Sequence, residues 1–494
     1  VSGRPDLGAL THRDAAWAGL RVLVTGLGIS GFAAADALAE RGAHVILVDA
    51  VLPEPDSELA QRARILEVLD VQVRLGPLAA QTLPAEELDL IVTSPGWRPD
   101  QPLLAAAAAH GIPIWGEVEL AWRMRAADGA AAWLTLTGTN GKTTTVQMLA
   151  SILRAAGLRA TSAGNVGTPI LEAVLHPEPF DVIAVELSSF QLHWSDSIAP
   201  LASACLNIAP DHLDWHGSFE AYWAAKAKVF ARTQVACIYN DADPETRRMV
   251  EEAEVIDGAR AVGFTLATPA ISMVGLVEDI LADRAFLPER ATSAAEMGTL
   301  ADLSRTSAPP PPHAVANALA AAALARAYGV STGAVRAGLR AFVPEPHRVA
   351  EVAIVGEVRF VDDSKATNPH AAAASLAAYE HVVWIAGGLL KGADIDPLVA
   401  AYGPGLRGVV LLGADRSAIA ESLARHAPDV PVVDLSDTDT GAMDNAVRAA
   451  AGLAQPGDVV LLAPAAASMD MFANYGARGD AFAAAVARLQ ASGE

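Results

Sequence analysis

Short runs of apolar residues, each closed by Gly, Pro, Asp or Ser, alternate with longer helix-spaced stretches along most of the chain. Runs that are apolar at every position predict strands buried on both faces, and their alternation with helices predicts mostly parallel sheets. Arg21-Val22-Leu23-Val24-Thr25 is the first such run; after the glycine-bearing residues 26–31 come a helical stretch to about Arg41 and a second run, His44-Val45-Ile46-Leu47-Val48-Asp49. Another run at 88–93 ends in Ser94-Pro95-Gly96, and together these predict a Rossmann-like first domain over residues 1–120. A second series begins with Trp133-Leu134-Thr135-Leu136-Thr137. It continues with a helix from Lys142 to about Ala156, strands at 181–185, 202–207 and 235–239, and a helix over 218–231. The stretch from about 265 to 312 is less regular and carries a proline run at 309–312, which predicts a stiff extended connection before an alanine-rich helix over 313–328. Residues 121–343 therefore read as a central domain with a mostly parallel sheet, and the glycine loop at 137–144 inside it makes the expected domain one of P-loop ATPase type. Runs at 358–361, 381–386, 408–412 and 458–462 predict a Rossmann-like third domain over 344–494. The expected fold class is α/β with three domains.

Composition narrows the picture. A chain of 494 residues exceeds one hydrophobic core and suits about three domains. Hydrophobic residues at 52% and charged residues at 19% describe a globular chain. A formal net charge of -22 argues against a nucleic-acid partner and against affinity for anionic membranes. A phosphate-rich ligand must then be held by local lysines, backbone N–H groups and metal ions. Cys205 and Cys237 fit neither a disulfide framework nor a zinc site. No apolar run reaches transmembrane length and the N-terminal residues lack an apolar signal core, so a cytoplasmic protein with no membrane insertion is expected. A monomer is the expected state, though no sequence feature sets it.

The strongest chemical signal is Thr137-Gly138-Thr139-Asn140-Gly141-Lys142-Thr143-Thr144, a glycine loop between a strand and a helix. Such a loop presents backbone N–H groups and a helix N-terminus to ATP phosphates, while Lys142 reaches the terminal phosphates and Thr143 can ligate Mg²⁺. It is a variant of the common pattern, because Leu136 stands where a glycine is usual. Gly26-Leu27-Gly28-Ile29-Ser30-Gly31, followed by Asp49 at the end of the next strand, marks a diphosphate holder. Alone it fits an NAD-dependent dehydrogenase as well as a protein binding UDP. Glu186-Leu187-Ser188-Ser189 and Asp211-His212-Leu213-Asp214 each follow a strand, where open α/β sheets place ligands, and their oxygens and imidazole suit Mg²⁺ beside phosphates. Lys226 and Lys228 read, from residue type alone, as surface lysines on a helix. In the third domain His347-Arg348, Asp362-Asp363-Ser364-Lys365-Ala366-Thr367-Asn368 and Gly387-Gly388-Leu389-Leu390-Lys391 put cationic and hydroxyl groups near strand ends, suited to phosphate or a carboxylate substrate.

Taken in order along nearly the whole chain, these motifs resemble the Mur ligases, ATP-dependent amide-forming enzymes of peptidoglycan synthesis. Gly164-Asn165-Val166-Gly167, Pro346-His347-Arg348, and Ser468-Met469-Asp470-Met471-Phe472 with Tyr475 and Arg478-Gly479 extend the resemblance. The Asp-Ser-Lys-Ala-Thr-Asn and C-terminal motifs point to the branch that adds D-glutamate to UDP-N-acetylmuramoyl-L-alanine. The resemblance implies that Gly28, Ile29, Ser30, Gly31, Asp49, Ser94, Pro95 and Gly96 hold the UDP end of the substrate. It implies that Asn165 and Ser188 position the sugar-peptide end. Gly138, Thr139, Asn140, Gly141, Lys142, Thr143 and Thr144 would bind ATP, with Asn317 at adenine, Arg348 at the phosphates and Asp363 at the ribose. Thr143 and Glu186 would bind one Mg²⁺, and Glu186, His212 and a carbamylated Lys226 a second. Lys365, Thr367, Lys391, Ser468 and the Tyr475 backbone would receive D-glutamate. The implied reaction phosphorylates the L-alanyl carboxylate and lets the D-glutamate amine displace phosphate. Two departures stand out: His313-Ala314 replaces the family's usual His-Asn, and Ala463-Pro464-Ala465-Ala466-Ala467-Ser468 lacks the family's cysteine. The alternatives are another Mur-type ligase, a dehydrogenase using the first glycine loop, or a nucleotide-dependent switch without turnover.

Overall fold

The first apolar runs become a five-stranded, wholly parallel sheet: β1 (Arg21–Thr25), β2 (His44–Asp49), β3 (Gln72–Leu75), β4 (Leu90–Thr93) and β5 (Ile114–Gly116), in the order β3-β2-β1-β4-β5. The computed structural model describes residues 5–304, 310–344, 346–436 and 441–492. Val22, Leu23 and Val24 are fully enclosed, as a parallel sheet covered on both faces requires. The helix Ile29–Ala39 leaves β1 through the Gly26–Gly31 turn, and Ser57 caps the helix Glu58–Val68 by accepting from the Ala60 N–H at 3.2 Å.

The central sheet has nine strands: β6 (Ala132–Thr137), β7 (Ala160–Gly164), β8 (Val182–Glu186), β9 (Ala202–Cys205), β10 (Ala236–Asn240), β11 (Arg260–Phe264), β12 (Met273–Val277), β13 (Ile280–Asp283) and β14 (Ala295–Thr299). Their order is β14-β13-β12-β11-β10-β9-β6-β8-β7. From β7 to β12 the pairing is parallel; β12, β13 and β14 pair antiparallel. The region expected to be irregular therefore contributes three strands, and the chain reverses tightly between β12 and β13 at Glu278, whose φ is 57°. The chain steps from β6 to one side for β7 and β8 and to the other for β9, so the end of β6 is the switch point where such sheets bind ligands. Of the proline run, Pro309 lies outside the described residues, as do Ser307 and Ala308 before it. The alanine-rich helix spans Pro312–Tyr328, and the next helix, Thr332–Ala341, crosses Lys142–Ala155 closely: a Cβ on Gly338 would lie 2.3 Å from the Ile152 Cα.

The chain forms two compact units, and the first contains both sheets just described. The position expected to divide them, residue 120, lies inside the helix Glu117–Arg123. The enclosed Glu119 carboxylate of that helix accepts from Asp196 N at 2.8 Å, Ser197 N at 2.9 Å and Arg123 Nε at 2.7 Å. Trp122 meets Trp133 edge-on at 5.1 Å, and one apolar core runs from Leu10 and Trp17 through these rings to Ile183 and Tyr222. The second unit carries β15 (Ala350–Val355), β16 (Val358–Asp362), β17 (Val382–Gly387), β18 (Gly408–Leu412), β19 (Val432–Asp434) and β20 (Val459–Leu462). Their order is β15-β16-β20-β17-β18-β19, parallel except for the antiparallel edge strand β15.

Candidate active site

The phosphate loop leaves β6 and enters the helix Lys142–Ala155 through Gly141, whose φ of 81° is left-handed. A Cβ there would fall 2.4 Å from Asn317 Oδ1, so the Asn317 amide lies directly against the loop. Neighbouring strand ends brace the loop. Asn207 Oδ1 accepts from Asn140 N at 2.9 Å, and Asn207 Nδ2 donates to Asn140 O at 3.1 Å. The Thr139 hydroxyl meets Tyr222 OH at 2.9 Å and accepts from Ala209 N at 2.9 Å. Lys142 Nζ folds back onto its own loop, donating to Gly138 O and Thr139 O, each at 2.9 Å.

Strand β8 lies on one side of β6 and β9 on the other, so Glu186 and the Asp211-His212 loop flank the phosphate loop. Glu186 is 1% exposed; Asn165 Nδ2 donates to its Oε1 at 2.9 Å, and its Oε2 has no hydrogen-bond partner among the described residues. Ser188 serves a local purpose, capping the helix Ser189–His193 in a reciprocal box with Gln191. His212 sits at a φ of 53°, its ring edge-on to Phe190 at 4.7 Å, and burial lowers the imidazole's pKa.

Lys226 and Lys228 part company. Lys228 bonds Asp196 at 2.8 Å at the surface. Lys226 is 2% exposed and donates to Gly138 O at 2.8 Å and Thr137 Oγ1 at 3.2 Å. Its surface reading from residue type is therefore overturned. Desolvation, with repulsion from Lys142 next, pushes the Lys226 pKa down to about 7. Both lysines thus converge on the Gly138 carbonyl.

In the first sheet, the Asp49 carboxylate braces the glycine loop: Oδ2 accepts from Leu27 N at 2.7 Å and Oδ1 from Val51 N at 3.0 Å. Ser94 closes on the loop from β4, since a Cβ on Gly26 would lie 2.5 Å from its Oγ. Gly28 and Gly96 border open space, and Ile29 is exposed. The helix after this loop packs tightly: a Cβ on Gly31 would lie 1.8 Å from Gly26 O. Gly31→Ala is expected to cost about 2 kcal/mol in chemical denaturation; an unchanged unfolding midpoint contradicts this packing.

In the second unit, Lys365 and Thr367 follow β16, Lys391 follows β17 and Ser468 follows β20, three adjacent strands. Two of these loops are knitted by Leu389 N to Ala467 O at 2.8 Å and Ala467 N to Leu389 O at 2.9 Å. Lys365 Nζ lies 4.0 Å above the Tyr475 ring. Lys391 is exposed at a φ of 54°, while Ser468 is buried. Asp363 is also buried, its carboxyl bonded to the Ser375 hydroxyl, and desolvation pushes its pKa up to about 6. Arg348 precedes β15, two residues from its start. His347 Nδ1 meets Asp362 Oδ2 at 2.6 Å.

Three family models match the chain: the Mur ligase MurD-like N-terminal domain over residues 20–116, the Mur ligase middle domain over 136–325, and the Mur ligase glutamate ligase domain over 347–466. A protein of Streptomyces avermitilis named UDP-N-acetylmuramoylalanine--D-glutamate ligase is 60% identical over 96% of this chain and 99% of its own length. The chain belongs to the Mur ligase family. Mur ligases of the same name from Thermobifida fusca and Mycolicibacterium smegmatis are 58% and 46% identical, over 95% of this chain in each case and 99% and 96% of their own lengths. Two solved structures share the fold. UDP-N-acetylmuramate-alanine ligase of Thermotoga maritima has a TM-score of 0.54 at 19% identity, covering 96% of this chain and all of its own. A pseudomurein peptide ligase type C of Methanothermus fervidus has a TM-score of 0.56 at 16% identity, covering 95% of this chain and all of its own.

Residue types alone did not single out Asn207 and Tyr222. Asn207 stands where the apolar run of β9 breaks into a polar residue, and Tyr222 is one helical turn before Lys226, its ring 4.9 Å from the Lys226 Nζ.

Proposed function

We propose that this Mur ligase joins D-glutamate to UDP-N-acetylmuramoyl-L-alanine at the expense of ATP, a cytoplasmic step of peptidoglycan precursor synthesis. The name shared by relatives that match nearly the whole chain supports the substrate pair. The observation that carries the chemistry is the convergence of Lys142 and Lys226 on one loop carbonyl at the switch point of the central sheet. Residues 1–120 would hold the UDP end through the Gly26–Gly31 turn and Ser94-Pro95-Gly96, with Asp49 fixing the turn. Residues 121–343 would bind ATP, and residues 344–494 the amino acid.

A carboxylate is a poor electrophile, so amide formation needs activation. The γ-phosphoryl group would pass to the L-alanyl carboxylate, giving an acyl phosphate; the D-glutamate amine would then attack and phosphate would leave. Lys142 would exchange its two loop carbonyls for ATP phosphate oxygens, while Asn207 and Tyr222 hold the loop in shape around the anion. Mg²⁺ fits this cradle on one observation: Glu186 Oε2 is buried without a hydrogen-bond partner among the described residues. No group of three or more His, Cys, Asp and Glu side chains among the described residues could hold an ion by itself, so phosphate oxygens and the Thr143 hydroxyl would complete the set. Thr143 and Glu186 would hold one ion; Glu186, His212 and carbamylated Lys226 would hold another. Bound there, Mg²⁺ would neutralise charge on the transferring phosphoryl group. An ammonium cannot ligate a cation. The amine form of Lys226 can add CO₂ and release a proton, becoming a carbamate anion.

The test is to label the L-alanyl carboxylate with heavy oxygen. One labelled oxygen should appear in the released inorganic phosphate. Release of wholly unlabelled phosphate during productive ligation would contradict the acyl-phosphate route.

A further inference from the structure

Arg478 is among the largest side chains enclosed by the fold, at 1% exposure. It stands in the first turn of the helix Tyr475–Ser492, where Asn474 Oδ1 accepts from Ala477 N at 2.9 Å and holds the turn in place. The guanidinium fork reaches three strand ends of one sheet. Nε donates to Ser364 Oγ at 2.9 Å and Nη2 to Ser364 O at 2.8 Å, both just past β16. Nη1 donates to Ala466 O at 3.0 Å, past β20, and to Gly387 O at 3.4 Å, at the end of β17. Ser364 Oγ passes the contact on by donating to Tyr475 O at 2.8 Å.

All of these acceptors are neutral. Asp362 and Asp470 act on the guanidinium only through space, and desolvation lowers its pKa to about 10, which leaves it charged at neutral pH. A buried cation is normally paired with a carboxylate, because carbonyl dipoles offset its desolvation only in part. Here a positive charge, offset only through space by Asp362 and Asp470, holds the bases of the three loops that carry Lys365 and Thr367, Lys391, and Ser468. No single-point cation could span the same acceptors. An ammonium offers its donors from one atom, whereas the planar fork fixes several loops at set angles.

We propose that Arg478 is a positioning residue for the amino-acid substrate: it locks the ends of β16, β17 and β20 into one receptor and biases that receptor toward an anionic amino acid. The inference rests on the reading of these loops as the D-glutamate site. It predicts that the selectivity of this unit for a dicarboxylate depends on a residue that touches no substrate.

The experiment uses the full chain and Arg478→Lys, with steady-state kinetics in each of the three substrates. The expected result is a KM for D-glutamate raised on the order of ten-fold or more, with the KM values for ATP and UDP-N-acetylmuramoyl-L-alanine changed less than about three-fold. A purely structural role would lower the melting temperature and the active fraction and leave the D-glutamate KM where it was, and that outcome overturns the proposal. If Arg478→Lys does not fold, Ser364→Ala decides. It removes only the hydroxyl between Arg478 and Tyr475 O, and it should raise the D-glutamate KM about three-fold or more; an unchanged KM overturns the proposal. Failure of the wild-type chain to use D-glutamate is a separate result, and would reject the reading of the site itself.

Discussion

Replacing Lys142 with Ala is expected to lower ATP-dependent ligation by at least about 100-fold, with the fold retained. The two carbonyls that lose its ammonium, Gly138 O and Thr139 O, belong to a loop still held by Asn207, Tyr222 and Gly138's bond from Lys226. Binding of the UDP substrate should change little, because its proposed holder belongs to the first sheet. The same substitution removes a positive neighbour that lowers the Lys226 pKa, so that pKa should rise. Turnover measured by coupled ADP release, together with a thermal melt, checks both parts. Near-normal turnover in a folded variant would sink the phosphate-loop assignment.

The second large effect is expected at Lys226. Lys226→Ala should also cost at least about 100-fold in turnover, since it deletes the proposed carbamate and leaves Thr137 Oγ1 and Gly138 O without its donor. In the unmodified chain, exhaustive removal of CO₂ should depress activity and bicarbonate should restore it. With the pKa pushed down to about 7, the reactive amine gains as pH rises through neutrality, so recovery should be faster on the alkaline side. Linkage has the same sign. The folded chain binds fewer protons here than the unfolded chain between about 7 and the usual 10.5, so this lysine's contribution to stability rises with pH across that window. Activity indifferent to CO₂, together with no carbamate signal by NMR in heavy-carbon bicarbonate, would remove the carbamate from the account.

The parts of this molecule readable in sequence are those encoded locally. The turn Gly26–Gly31 and the loop 137–144 each combine a buried strand, the glycines a tight turn needs and a helix start, all within a short span. Short strands with polar positions were not readable: β3 contains Gln72 and Arg74, and β7 contains Thr161 and Ser162. The β12–β13 turn uses Glu278-Asp279 rather than a glycine pair, so the hairpin lacked its usual signature. Burial of charge was the least visible of all. Lys226 finds its acceptors at Thr137 and Gly138, and Arg478 finds its own in three separate loops, so neither differs in residue type from a surface cation. The joining of the first two sheets into one unit likewise depends on Glu119 reaching Asp196 and Ser197, a pairing that no local pattern announces.

The resemblance and the strand-end geometry meet in one claim, that D-glutamate is the amino acid joined to UDP-N-acetylmuramoyl-L-alanine. The direct measurement supplies the chain with that nucleotide, ATP and Mg²⁺, and with each member of a panel of D- and L-amino acids in turn, following ADP release and product mass. The account predicts that D-glutamate gives stoichiometric ADP and a product heavier by one glutamyl residue, with the other amino acids far behind. Preferred ligation of any other amino acid, or ATP binding with no product from any of them, would contradict it.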